Sequence, residues 1–466
     1  MDLQRFHFNN TFGDLRLDRT GNDLVCKMIS GCSSVLNRVS GDLSQSIKYY
    51  RFINNSRVKM EQIKGSILNQ IGGNVSDKEV VIIQDTTELN YEKFRSIYRT
   101  DDPDLGPTGN DNFIGFFLHC SLVIDAESSF PLGFSDIQIW NRHFDKVGKV
   151  ERKYQFQRIE DKESNRWLTS VDNSARVSNS AALRWFVSDR ESDIYDLLAK
   201  FPMERAHFVI RISQNRTIKD SESLLFDYID QTTPAASYPI EIIEKKSAEK
   251  KTVNINVRFG TVEIKVPKSR QSKTEKKSIK LSFVEAYSKE SQTPISWRLY
   301  TDVDVQTVDQ ALKVIDRYKQ RWHIEVLFGL LKTKGFELEE SQLSSGESLK
   351  KLCLLTLISA LEVNQLRMAY KNKDLKIEAK IIFKPQDLIL LNLLLKQYQG
   401  RTIKQSNPFI PNSLAWAAWI IGRMGGWKGL ESQGPPGIIS FTEGYKKFKT
   451  ISQAAEILMQ KDVYKA

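Results

Sequence analysis

Cysteine is scarce in this chain, and its placement excludes more than its number does. Cys26, Cys32, Cys120 and Cys353 form no CxxC pair and have no histidine tract beside them. A zinc site or a disulfide framework is therefore not expected, which suits a reducing cytosol. Long apolar runs are missing as well. A membrane span needs roughly 18 uninterrupted apolar residues. Residues 352–363, 388–395 and 414–421 are shorter, and Glu362, Asn392 or Arg423 interrupts or closes each of them. They read as buried helices, with no membrane partner. Asp2, Arg5, Asp14, Arg16, Asp18 and Arg19 stand where a secretory signal would place its apolar region, so a cytoplasmic location is expected. Internal repeats are absent.

What is present is charge of one sign. Lysine and arginine number 68 against 57 acidic residues, a net charge of +11 with a pI near 9.2. That excess points to a polyanionic partner. The apolar share of 40% and the charged share of 27% are those of an ordinary globular protein. A chain of 466 residues has room for two or three domains with a well-buried core.

Residues 1 to about 75 read as helical, with scattered basic side chains such as Arg16, Arg19, Arg51 and Lys59. The texture changes at Glu79. Val80-Val81-Ile82-Ile83 is a continuous apolar run ending at Gln84-Asp85-Thr86-Thr87, the pattern of a strand buried on both faces. Residues 116–124 and 131–140 are two further strands, paired as a hairpin. A helix over 162–178, a strand over 184–188 ending at Asp189, a helix over about 191–200 and a strand over 207–212 follow. Residues 214–295 depart from this order, with strand-like runs at 252–257, 261–266 and 279–287 and a basic connection over 265–280. They read as an inserted β-rich subdomain. From Val308 the chain turns helical, with one long amphipathic helix over 308–334 and a helical bundle in the last hundred residues.

Asp85 and Asp189 each follow a buried strand, where side chains emerge from an open sheet into solvent. Glu325 lies within the long helix. Three carboxylates brought together repel unless a cation neutralises them, and hard oxygen ligands suit magnesium or manganese. Two such ions support in-line phosphoryl transfer. Tyr318, Arg321, Glu325 and Lys332 fall within roughly 60° of helical arc, one stripe over four turns. Ile324, Leu327, Phe328 and Leu331 form a neighbouring apolar stripe that can anchor the helix. The stripe suits a carboxylate on a metal flanked by groups gripping phosphate. A solvated face with an Arg321–Glu325 ion pair is the competing reading, and spacing alone leaves both open.

Three blocks carry a resemblance. Gln84-Asp85-Thr86-Thr87 through Tyr91, Ser188-Asp189-Arg190-Glu191 through Tyr195, and Tyr318 with Arg321, Glu325 and Lys332 resemble the signature blocks of bacterial DDE transposases of the insertion-sequence-four family. Phe12-Gly13-Asp14, Arg16-Leu17 and Tyr50-Arg51-Phe52 are similar to that family's end-binding domain. Gly115-Phe116-Phe117-Leu118-His119 and Lys162-Glu163-Ser164 with Trp167 are similar to its catalytic core. Leu414-Ala415-Trp416 and Gly425-Gly426 are similar to its C-terminal region. The first ten residues and Ile438-Ile439-Ser440-Phe441 depart from the family pattern.

The resemblance implies an α/β fold: an RNase H-like catalytic core over 76–370, interrupted by a β-rich insertion at about 214–300. A helical end-binding domain (1–75) and a helical dimerisation domain (371–466) would flank it. It implies that Asp85, Asp189 and Glu325 hold two magnesium ions, with manganese an acceptable substitute. Tyr318, Arg321 and Lys332 would contact terminal phosphates. Trp297 would receive a base flipped from the stack, and Arg211 and Arg216 would contact DNA. The partners implied are double-stranded transposon ends, target DNA and a second copy of the chain when ends are paired, with a monomer before that. The reaction implied is nicking, hairpin formation, excision and strand joining in a bacterial cytoplasm, the protein being nucleoid-associated when bound. The alternative is an RNase H-like nuclease or resolvase that cuts without joining. A non-catalytic DNA-binding derivative is a third reading, which the intact triad of carboxylates disfavours.

Overall fold

The computed structural model describes residues 6–462 except 100, 110, 145–156, 244–249, 271–274, 291–294, 334, 373–375, 401, 403–404 and 431–432. The N-terminal stretch is helical as its sequence predicts: α1 (Leu15–Gly31), α2 (Leu36–Val39), α3 (Leu43–Ile53), α4 (Met60–Leu68) and α5 (Ile71–Val75). Asp14 caps α1 by accepting the Arg16 amide, and Asp42 caps α3 through Gln45. These caps satisfy amides that the first turn of a helix leaves unpaired.

Next come β1 (Glu79–Asn90), β2 (Gly106–Thr108), β3 (Phe113–Asp125), β4 (Pro131–Trp140), α6 (Asn165–Val177), β5 (Leu183–Ser188), α7 (Tyr195–Leu198) and β6 (Ala206–Arg211). They are followed by α8 (Leu225–Gln231), β7 (Ala236–Ile243), β8 (Lys250–Lys265), β9 (Ser278–Ser288) and β10 (Ile295–Thr301). All ten strands form one sheet in the order β2-β3-β1-β5-β6-β10-β9-β8-β7, with β4 paired to β3. β1, β5 and β6 are parallel, and the flanking pairings are antiparallel. Val80, Val81, Ile82 and Ile83 are all fully buried. Successive strand residues face opposite sides, so both faces of the sheet are covered here. Each such side chain contributes about 1.5–3 kcal/mol by leaving water.

The β-rich stretch differs from expectation in two ways. It does not stand apart, because β10 pairs with β6 and carries β7–β9 into the central sheet. The runs over 252–257 and 261–266 are also one strand, β8. The expected helix over 191–200 shrinks to a single turn of 3₁₀ helix (Arg190–Ser192) and α7. Asp193 accounts for the interruption: its carboxylate accepts the Ser213 and Gln214 amides, 2.8 Å each, and pins that stretch to the chain beyond β6.

The last part comprises α9 (Val308–Lys319), α10 (Trp322–Leu331), α11 (Gly346–Lys371), α12 (Pro385–Tyr398), α13 (Leu414–Met424) and α14 (Ile438–Asp462). By length and composition α11 could cross a membrane, yet 83% of its most apolar window is buried inside the protein. It packs against α1, α4, α10, α13 and β4. It is a core helix, and one contiguous apolar cluster runs from Phe8 to Phe448.

Candidate active site

The register of two strands decides the first half of the site. β1 lies parallel to β5, with Val80 opposite Arg184 and Gln84 opposite Ser188. β5 stops at Ser188, so Asp85 and Asp189 are the next residues on chains spaced about 4.8 Å apart. Asp85 does not end its strand, as the sequence suggested. β1 runs on to Asn90 against β3, and only its pairing with β5 ends at Gln84. Asp189 is extended (φ −86°, ψ −174°) and leads into the 3₁₀ turn. Both aspartates thus stand where the sheet opens.

The second half comes from a bend in what the sequence read as one long helix over 308–334. The amides of Arg321, His323 and Ile324 donate to the carbonyls of Tyr318, Gln320 and Arg321. These are i→i−3 bonds, a 3₁₀ segment of the kind that marks hinges and functional positions within helices. Gln320 fastens the bend by donating to the Ala126 carbonyl (2.9 Å) and the Ser129 hydroxyl (3.2 Å) in the β3–β4 turn. Glu325 therefore sits in the first turn of α10, not mid-helix. The Arg321 guanidinium lies between two carboxylates, 3.2 Å from Asp85 and in contact with Glu325. The Tyr318 hydroxyl is 3.4 Å from Asp189, to which it donates. The Arg321–Glu325 ion pair expected of a solvated face exists, but its arginine is 13% exposed and also grips Asp85.

Trp297 packs edge-on against Tyr318, with ring centroids 5.5 Å apart. Arg211 donates to the Ser296 carbonyl (3.1 Å) and neighbours the Tyr318 phenol. These two residues flank the site. Lys332 and Arg216 do not join it. Lys332 caps the C-terminal end of α10, its amide bonding the Phe328 carbonyl (3.1 Å), and its ammonium is 3.8 Å from Glu339. Arg216, expected at a DNA surface, is buried against Asp193. It bonds the carboxylate at 2.6 Å and the carbonyl at 2.9 Å. It braces the loop after Asp189 from inside.

Arg166, within the Lys162–Trp167 block, was not singled out in sequence. Its guanidinium donates to the Thr86 hydroxyl (3.1 Å) and to Glu191 (2.6 Å), so it links the residue after Asp85 to the turn after Asp189. The Thr86 hydroxyl also lies 2.9 Å from His119 Nδ1. Burial and the Arg166 charge depress the His119 pKa, keeping the ring neutral. The only signal was position: Arg166 directly precedes Trp167.

Burial pushes the Asp85 pKa up to about 6. The Thr86 amide and Arg321 pull it down, and Asp189 and Glu325 push it further up. The Tyr318 phenol is raised by burial and by Asp189, against Arg321 and Arg211. Arg321 loses by burial but is held above its ordinary value by Tyr318, Asp189 and Glu325. The site therefore holds more negative charge than Arg321 offsets. Its donors are hard carboxylate oxygens, the chemistry that divalent magnesium or manganese takes. Among the described residues, no three His, Cys, Asp or Glu side chains are grouped closely enough to hold an ion, and Arg321 lies between Asp85 and Glu325. The donor chemistry is of the type that suits a divalent cation, with Arg321 lying between two of the three carboxylates in this structure.

Residues 161–361 match the family described as the transposase DDE domain. The match supports a DDE transposase. It spans Asp189 and Glu325 but not Asp85, and covers less than half of the 466 residues. It also supports a DNA-cleaving enzyme of a class that generally uses divalent metal ions. Among solved structures, the chain is similar to a piggyBac transposase in a synaptic complex with hairpin DNA. That similarity has 9% identity and a TM-score of 0.38, and covers 78% of this chain and 67% of that one. A TM-score that low does not establish a shared fold.

Proposed function

We propose that this chain is a cut-and-paste DNA transposase of the insertion-sequence-four kind, built on an RNase H-like core. The observation that carries this reading is the side-by-side emergence of Asp85 and Asp189 from adjacent parallel strands, with Arg321 tying Glu325 to Asp85. Residues 1–75 bind the transposon ends, 76–370 catalyse, and 371–466 pair two copies in the synaptic complex. The protein works in the cytoplasm on nucleoid DNA.

Asp85, Asp189 and Glu325 would hold two magnesium ions, which supply charge neutralisation for phosphoryl transfer. The side chains around them bind and orient the DNA. Tyr318 and Arg321 present donors to the phosphate at the cut, and Arg321 does so by exchanging its carboxylate partners for phosphate oxygens. Arg211 adds positive charge beside Tyr318, and Lys332, about two helical turns along α10 from Glu325, meets phosphates further along the strand. Trp297, edge-on to Tyr318, offers a face on which an unstacked base rests, worth about 1–3 kcal/mol. That face favours hairpin formation, in which the 3′-hydroxyl of the nicked strand attacks the opposite strand. The hairpin is then reopened and the 3′-end joined to target DNA.

The test uses wild-type protein and Glu325→Gln on a labelled duplex carrying the element's terminal repeat, with magnesium, resolved on a denaturing gel. Wild type gives nicks, hairpins and joined products. The variant binds but loses products by about 10²–10³-fold, the scale of removing an electrostatic stabiliser of the transition state. Nicks without hairpins or joining would favour the nuclease reading. Equal cleavage by the variant would remove Glu325 from the site.

A further inference from the structure

The basic stretch over 265–280 is, in its described parts, a laced wall. The Lys219 amide donates to Glu263 (2.7 Å), the Lys265 amide to Thr217 (2.9 Å) and the Val266 amide to Lys277 (2.9 Å). Three segments, each bearing a lysine, therefore lie side by side on a hydrogen-bonded scaffold. The Lys276 ammonium donates to the carbonyls of Ala199 and Phe201, and the Tyr195 hydroxyl donates to the Lys276 carbonyl at 3.0 Å. That fastens the wall to α7, the helix that follows Asp189. Asp193, with its bonds to Ser213, Gln214 and Arg216, fastens the opposite side to the same loop.

Between these walls lies an open cleft of about 920 Å³ whose charged lining includes Lys219, Lys265, Lys268 and Lys277 against one exposed carboxylate, Asp220. Lys219 is engaged by Glu263 at 3.0 Å. Lys265, Lys268 and Lys277 are exposed. The neutral lining comprises Gln214, Asn215, Thr217 and Ser278 together with the apolar Val266 and Pro267.

We propose that this cleft is a second phosphodiester-binding site, which takes the sugar-phosphate backbone of double-stranded DNA running on from the scissile bond. The proposal rests on the transposase reading. Continuity identifies the occupant: one side of the cleft is bonded through Asp193 to the loop after Asp189, and the other through Lys276 to α7 and the residues that follow it, so a duplex engaged at that loop runs on toward the cleft. Ammonium groups held on a β scaffold, with amide and hydroxyl donors between them, match phosphate oxygens and read no sequence.

The test uses the full chain, as wild type and as the triple variant Lys265→Gln, Lys268→Gln, Lys277→Gln. Anisotropy with a labelled random-sequence duplex is measured across a salt series, beside thermal melts and binding to polyglutamate. Each lost phosphate contact removes about 0.9 from the slope of log affinity against log salt. The triple variant is expected to melt like wild type, with a slope shallower by about 2–3 and affinity at moderate salt lower by roughly tenfold or more. An unchanged slope in a normally folded variant overturns the proposal and leaves the transposase reading standing. Unchanged duplex binding with loss of polyglutamate binding also overturns it and assigns the cleft to an acidic protein segment. Failure of wild type to bind duplex at any salt overturns both readings.

Discussion

Asp85 and Asp189 are neighbours because Gln84 and Ser188 are paired, and nothing about either aspartate alone would say so. Arg321 then decides the electrostatics of the site. It bridges Asp85 and Glu325 while 13% exposed, so on the proposed two-metal reading it stands where the ion's charge would act. An ion has to displace a charge-assisted bond of about 1.5–3 kcal/mol to reach both carboxylates. Arg321→Ala is therefore expected to tighten manganese binding in the absence of DNA by roughly tenfold or more, as titrated by electron paramagnetic resonance. Weaker binding in that variant would mean that Arg321 helps form the ion site and does not compete with it.

At the scale of elements, the sequence was most readable where one physical rule dominated. The apolar run over Val80–Ile83 gave β1, and the strand expected over 131–140 is β4 with its bounds intact. It was least readable where tertiary bonds overrode local preference. The 191–200 helix gave way to Asp193, and the 308–334 helix bent because Gln320 bonds the β3–β4 turn. Helical spacing still brought Tyr318, Arg321 and Glu325 to one side, since the bend keeps the chain right-handed and compact. Arg216 was expected to contact DNA because a sequence does not show that Asp193 meets it inside.

The C-terminal bundle has a comparable internal bond. Asp387 in α12 accepts from Lys449 (3.0 Å) and Ser452 (2.6 Å) in α14, with side-chain exposures of 3% for Asp387 and 13% for Lys449. Burial alone would raise its pKa, but Lys449, Ser452 and the Lys384 amide outweigh that and hold it below the usual carboxylate value. A depressed carboxylate stabilises the fold above its unfolded pKa of about 3.9 and loses that contribution as pH falls through the lower folded value. Asp387→Ala is expected to cost about 3–5 kcal/mol near neutral pH, because it strands a buried ammonium. Its deficit against wild type in chemical denaturation should shrink as the pH drops below about 4. A deficit independent of pH would assign the loss to packing.

Across the whole molecule, the ten-stranded sheet gives the chain its functional layout. Its parallel centre opens at Asp85 and Asp189, and β10 carries Trp297 to Tyr318. The end of β8 carries the lysine cleft that is fastened to the Asp189 loop. The central claim is that Asp85, Asp189 and Glu325 act as one divalent-ion site. Manganese titration by electron paramagnetic resonance, on wild type and on Asp85→Asn, Asp189→Asn and Glu325→Gln separately, tests it most directly. Each single variant should lose affinity by about 10–100-fold or more, at least the scale of disturbing a ligand's support. Wild-type affinity retained in all three variants would contradict the account.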